Sequence, residues 1–164
     1  GSLQLTGVKS MNNFHEVINI LFHELKIIKA VIHEDKIVEK TFIDDPNKLV
    51  LTSVKICMIN TNFKLKIKID REQLYAKLLS DKIKCKFEPL KHACVNIKYE
   101  CSLKKKVSIF VFESGAVIIT GANNSNQIIE AYNFIIAKIR KFGKSVIFVD
   151  IDELFEHADL KKYL

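Results

Sequence analysis

The chain has 164 residues and carries 26 lysines and arginines against 19 acidic residues, a net charge of +7. That length fits one domain or two closely packed repeats. No apolar run approaches the ~20 residues of a membrane span, and the 48% hydrophobic and 27% charged composition is ordinary globular material. The positive balance suits a polyanion. A solvated lysine surface explains it as well, because lysine, isoleucine and asparagine, all frequent here, come from AT-rich codons.

In chain order, residues 3–6 are expected to form a short strand stopped by Gly7. Asn12 or Asn13 then caps a helix running to about Ala30. Its apolar positions Phe14, Val17, Ile18, Leu21, Leu25 and Ile28 follow the three-four spacing of a buried stripe. Residues 31–47 read as a linker, with a small strand at 37–42 between turn-like stretches. A strand is expected over 49–60, interrupted by Asn60-Thr61-Asn62. Residues 63–69 alternate, with Phe63, Leu65, Ile67 and Ile69 on one side and three lysines on the other. Asp70 caps a second helix carrying Leu74, Leu78 and Leu79. Phe87-Glu88-Pro89 leads into a meander of strands at 93–99, 106–112 and 116–120, with a tight turn at Ser114-Gly115. Gly121 ends the sheet. Asn124 to Asn126 cap a third helix, to about Lys141, with Ile128, Ala131, Ile135 and Ile139 inward, and Gly143 closes it. A strand at 146–151 and a short helix at 153–164 finish the chain.

One pattern occurs twice. Gly1-Ser-Leu-Gln-Leu-Thr-Gly-Val-Lys-Ser10 returns as Gly115-Ala-Val-Ile-Ile-Thr-Gly-Ala-Asn-Asn124. The match continues in register, with Glu16 on Glu130 and Asn19 on Asn133. Residues 1–30 therefore read as the last strand and helix of an incomplete first repeat, 31–47 as the linker, 48–145 as a complete repeat and 146–164 as a C-terminal strand and helix. The front of the first repeat must come from preceding residues or from a partner chain.

Alternation assigns faces in the 106–112 strand. Val107, Ile109 and Val111 share the side that meets the helices; Lys106, Ser108, Phe110 and Phe112 share the other. Two rings beside a cation suit an apolar wedge on a basic sheet. The alternative is that the rings pack under the C-terminal tail.

The segment Lys106-Val-Ser-Ile-Phe-Val-Phe-Glu-Ser-Gly-Ala-Val-Ile-Ile-Thr-Gly-Ala122, with the helix Ile128-Ile-Glu-Ala-Tyr132 behind it and Phe87-Glu-Pro89 ahead, resembles the TATA-box-binding protein family. Leu5-Thr-Gly-Val-Lys-Ser10 resembles the end of that family's first repeat. The resemblance implies an α+β fold: a curved antiparallel sheet with helices on the convex face, one complete repeat plus the tail of another. It implies a non-enzymatic transcription initiation factor that contacts the DNA minor groove through the concave sheet. A·T-rich duplex DNA is the implied ligand, and initiation factors or RNA polymerase subunits are the implied partners. No membrane and no cofactor enter this picture. The lysine-, isoleucine- and asparagine-rich divergence points to a large DNA virus, or else a divergent protist. The implied location is intracellular: the nucleus, a viral factory in an infected cell, or the virion.

By the resemblance, Phe112 corresponds to an intercalating phenylalanine and Phe110 to an apolar groove contact. Ile118 and Thr120, with Gln4 and Thr6 in the first copy, line the groove. Lys98 stands for a phosphate-contacting arginine, and Lys9 for the lysine after Thr-Gly. Ser114 matches the hairpin serine, and Lys104, Lys105 and Lys106 form the densest cationic run. His92 falls where the family has its second wedge. The family's central asparagine is missing: Ile56 or Cys57 stands there, with Asn60 and Asn62 close by. Asn123 replaces the second lysine after Thr-Gly. These departures favour a second function, a protein-interaction module with weak or no sequence-specific DNA binding.

No catalytic constellation is evident. Glu113-Ser114-Gly115 lacks the preceding glycine of a nucleophile elbow, and no glycine-rich phosphate loop is present. His15, His23, His33, His92 and His157 are dispersed. Asp150 and Asp152 offer a divalent-ion site, but a cap role for Asp152 is the commoner use. The four cysteines (Cys57, Cys85, Cys94 and Cys101) lack zinc-site spacing and are expected to be reduced and mostly in the core.

Overall fold

Each α-helix begins where a short polar side chain accepts the backbone N–H three residues on. The computed structural model, which describes residues 1–102 and 104–148, holds three such starts. Ser10 Oγ accepts from Asn13 N at 3.1 Å, Asp70 Oδ1 from Gln73 N at 3.0 Å, and Asn124 Oδ1 from Gln127 N at 3.1 Å. Each bond satisfies a donor that the first helical turn leaves orphaned. The helices are α1 (Met11–Lys26), α2 (Arg71–Ser80) and α3 (Ser125–Phe142). The first cap is Ser10 and not Asn12 or Asn13, which lie inside the first turn of α1.

The chain divides into two compact units after Val54. In the first, α1 stops at Lys26, short of the expected Ala30, because Ile27 is already extended at φ −69° and ψ 135°. The stretch that begins there is a hairpin of β1 (Ile28–His33) and β2 (Lys36–Thr41). Glu34 and Asp35 turn it with φ 48° and 61°, the left-handed pair that matches strand twist. The expected linker therefore holds a two-stranded ribbon with almost every residue exposed. Residues 3–6 form no strand. The sheet of this unit is β1 and β2 alone, and a strand without a ladder partner gains nothing from extension.

The duplication is visible in local geometry. Gly7 and Gly121 take φ 77° and 91°. Ser10 sits at φ −153°, ψ 163° and Asn124 at φ −149°, ψ 165°. Helices start at Met11 and Ser125, the same step after each glycine.

The second unit is a five-stranded antiparallel sheet in the order β3-β7-β6-β5-β4. Its strands are β3 (Ile59–Lys64), β4 (Cys85–Lys86), β5 (Cys94–Glu100), β6 (Lys106–Phe112) and β7 (Ala116–Ala122). β6 occupies the expected residues. β3 corrects the sequence reading: residues 49–58 precede the strand, and Asn60-Thr61-Asn62 lies within it. Nor does Gly121 end the sheet, since β7 runs to Ala122, opposite Ile59. A register shift between Ile59 and Thr61 accommodates the pairing. Beyond Lys64 the chain follows the hairpin tip, with Leu65 N donating to Gly115 O and Ile69 N to Glu113 O, both at 2.8 Å.

Alternate residues of β5, β6 and β7 (Val95, Ile97, Val107, Ile109, Val111, Val117, Ile119) are buried against Leu74 and Leu78 of α2 and Ala131, Ile135 and Ile139 of α3. Leu79, expected on the same stripe, is 49% exposed. Past Gly143 a short 3-10 turn ends at Val146, and Ile147 makes a single bridge to Ile69. The rest of the expected 146–151 strand, the 153–164 helix, and Asp150 and Asp152 lie outside the described residues. Two cysteines, Cys94 and Cys101, are buried, Cys85 is half-buried and Cys57 exposed.

Asp81, just past α2, accepts from Lys138 Nζ and Lys141 Nζ of α3, each at 2.8 Å. Those hydrogen bonds, Lys138 first, hold its carboxyl below the ordinary 3.8. A depressed folded value adds stability above the unfolded-chain pKa and loses it as pH falls through the folded one. Asp81→Asn is therefore expected to lower the Tm at pH 7, with the gap to the parent closing as pH falls below the ordinary carboxylate range. Paired thermal melts across pH check this; a gap that persists in acid would show that the carboxylate charge is not what matters.

Candidate nucleic-acid interface

Burial on one side of the sheet dictates the other side. With Val107, Ile109 and Val111 inward, Lys106, Ser108, Phe110 and Phe112 point to the face opposite the helices. The register carries that face across all five strands. Asn62, Ile118, Phe110, Asn96 and Lys86 form one continuous cross-strand row. Toward the hairpin tip, Lys64 faces Ala116 and Phe112 faces Cys94. In the other direction, Thr120, Ser108 and Lys98 align, followed by Lys106 opposite Glu100.

The centre of this face is apolar and its margins are cationic. Phe110, Phe112 and Ile118 are half-buried, yet neither ring is among the side chains packed on the core. Lys64, Lys86, Lys98 and Lys106 stand against one carboxylate, Glu100, which lies 3.8 Å from Lys106 Nζ. The C-terminal tail, the alternative cover for the rings, lies outside the described residues.

Hydrogen bonds set the polar groups. Lys98 Nζ donates to Ser108 Oγ at 2.6 Å. Thr120 Oγ1 donates to Asn60 Oδ1, which leaves the Asn60 amide nitrogen as the free donor of that side chain. Ser114 Oγ accepts from Ala116 N at 3.5 Å across the hairpin turn. Lys104 takes φ 57° in the β5–β6 turn, which Cys101 N closes by donating to Lys105 O at 2.8 Å. Glu130 of α3 accepts from Ser102 N and Oγ at 2.9 and 2.8 Å, which ties this turn to the helix. Those bonds keep the Glu130 carboxyl below its ordinary value.

Two concavities adjoin the rings. One, about 390 Å³, is lined by Lys68, Arg71, Ala93, Phe112, Glu113 and Ser114. Arg71 braces it, donating to Ala93 O at 3.0 Å and to Glu113 Oε2 at 2.5 Å. The other, about 230 Å³, is lined by Lys86, Glu88, His92, Cys94 and Asn96. His92 is exposed in a turn whose N–H reaches Glu88 O at 2.8 Å. Burial pushes the Cys94 thiol up, with Arg71 opposing, so this residue presents a neutral group.

Of the expected site residues, Phe110, Phe112, Ile118, Thr120, Lys98 and Lys106 share the open face, with Ser114, Lys104 and Lys105 in its turns and His92 beside it. Gln4, Thr6 and Lys9 are exposed in the other unit, and without a strand at 3–6 the alternation expected of Gln4 and Thr6 has no basis. Ile56 and Cys57 precede β3 and are exposed. Sequence reasoning missed Asn96, Lys64, Lys86 and Arg71. Alternation along β5 was the available signal for Asn96.

Among the described residues, no helix is long and apolar enough to cross a membrane, and no three His, Cys, Asp or Glu side chains stand where they could hold a metal ion.

Comparison with known proteins bears on this face. The family model described as transcription factor TFIID (or TATA-binding protein, TBP) matches residues 53–142. A protein of Acanthamoeba polyphaga mimivirus described as "TATA-box-binding protein-like" is 40% identical over 176 aligned residues, which cover 99% of this chain and 47% of that protein. The chain thus spans about half the length of that relative. The solved structure of Methanococcus jannaschii TBP superposes with a TM-score of 0.55 at 22% identity, covering 82% of this chain and 64% of that one. That match shows a shared fold.

Proposed function

Because the chain belongs to the TATA-binding-protein family, a family of non-enzymatic transcription factors, we propose that the open face of its five-stranded sheet binds the minor groove of A·T-rich duplex DNA. The observation that carries this is the pairing of Phe110 and Phe112 with four lysines and one carboxylate on the face opposite the helices. Rings at the tip of the sheet unstack a base step, and cations at its margins hold phosphates. Ile118, Thr120 and the Asn60 amide suit a groove floor that carries acceptors and no protruding guanine amine. Gln4, Thr6 and Lys9, exposed in the first unit, enter this reading as DNA contacts on the family resemblance alone. Exposed Leu79 of α2 and Ile129 of α3 (49% and 56%) offer apolar contacts for initiation factors or polymerase subunits.

A second reading, a protein-interaction module, draws support from the exposed histidine at the second wedge position and from Ile56 and Cys57 lying ahead of β3. Fluorescence anisotropy on A·T-rich and G·C-rich duplexes across a salt series separates the two. Preference for A·T that persists at physiological salt is expected. Equal affinities that collapse with salt would reduce the binding to lysine electrostatics. No binding at low salt would leave the interaction module.

A further inference from the structure

Asn96 is the anomaly of the open face. Its Oδ1 is the one buried side-chain polar atom without a hydrogen-bond partner among the described residues. An orphaned buried acceptor costs about 1–3 kcal/mol, so such an atom calls for an account. Resting on the minor-groove reading above, we infer that Asn96 Oδ1 accepts a hydrogen bond from the 2-amino group of a guanine, and that the preferred site contains one G·C pair at the position facing Asn96.

The chemistry of the groove singles out this ligand. A·T and T·A pairs show only acceptors in the minor groove, and the guanine amine is the one donor a base presents there. Elsewhere on the face, Asn60, whose carbonyl accepts from Thr120, and the lysines at the margins supply donors. Asn96 alone offers an acceptor that is both buried and without a partner among the described residues.

Its placement is equally specific. Asn96 lies beside Phe110 on β6, near the Phe112 end of the sheet, and lines the concavity with Lys86, Glu88, His92 and Cys94. Glu88, the other strong acceptor in that concavity, is engaged with Lys91 Nζ at 2.8 Å. Lys86, opposite Asn96 on β4, is exposed.

The test uses the full chain and a labelled A·T-rich duplex with a single G·C pair stepped through it on either strand. A matching set carries inosine for guanine, which removes only the 2-amino group. At one position the guanine duplex is expected to bind about five- to tenfold tighter than its inosine twin, the scale of one hydrogen bond to an otherwise orphaned group. Asn96→Val brings that ratio to one, and Asn96→Asp, which keeps the acceptor, retains it. Ratios of one at every position in the parent protein, with A·T-rich duplex still bound, overturn the inference and leave the minor-groove reading standing. A ratio that survives in Asn96→Val overturns the assignment to this residue. Failure of the parent to bind any duplex overturns both.

Discussion

Replacing Phe110 and Phe112 together with alanine is expected to weaken binding to A·T-rich duplex at least about 30-fold, since a side chain stacked on a base is worth about 1–3 kcal/mol. The loss should appear without a matching loss of folding. Both rings lie on the face away from the helices, and neither is among the residues packed on the core. Their β6 neighbours Val107, Ile109 and Val111, fully or almost fully buried, carry that strand's share of the packing. Anisotropy titrations alongside thermal melts make the comparison. Unchanged affinity in a folded double variant would remove the wedge from the mechanism.

The opposite pattern is expected at Gly115. This residue holds φ at 79°, and a β-carbon there would come within 2.3 Å of Ile67 O and 2.6 Å of Leu65 O. Both obstacles are backbone, so no side chain can rotate out of the way. The same backbone is anchored by Leu65 N donating to Gly115 O at 2.8 Å. Gly115→Ala therefore combines left-handed strain with overpacking and should destabilise the second unit by about 3 kcal/mol or more. That corresponds to a Tm lower by roughly 10 °C or more. Gly121→Ala is the control. It meets the positive φ of 91° with only ordinary contacts, the nearest 3.6 Å away, so roughly 1–2 kcal/mol of strain is its whole cost. Equal melts for the two variants would show that the backbone at 65–67 yields to the added methyl. Because Gly115 sets the turn that follows Phe112, its variant should also lose DNA binding.

Signals that complete themselves within a few residues were readable in the sequence. β6 alternates strictly, and its register with β7 follows from the short turn at Ser114-Gly115. Asp70 and Asn124 cap their helices as expected because a cap needs only the next three residues. What depended on distant partners was not readable. Asn60 and Asn62 looked like an interruption because asparagine is depleted in strands, but the pairing of Ile59 with Ala122 and of Asn62 with Ile118, across a bulge, overrides that preference. The two-residue β4 is too short to show a period. Residues 3–6 carry a strand-like pattern that stays unformed without a neighbour to complete the ladder. The site divided along the same line. Phe110 and Phe112 were placed by alternation, whereas the roles of Asn60 and Asn96 emerge only when strands far apart in sequence lie side by side.

The bond from Thr120 to Asn60 has a directional consequence. With its carbonyl occupied, Asn60 offers hydrogens at one edge of the sheet, while Asn96, across β7 and β6, offers a lone pair near the other. An A·T pair and its inverse look alike from the minor groove, so a run of them reads the same from upstream and from downstream. A surface whose hydrogen-bonding sense changes along its length is not blind in that way. It carries an arrow, and under the proposed minor-groove reading such a surface would seat on its duplex in one orientation.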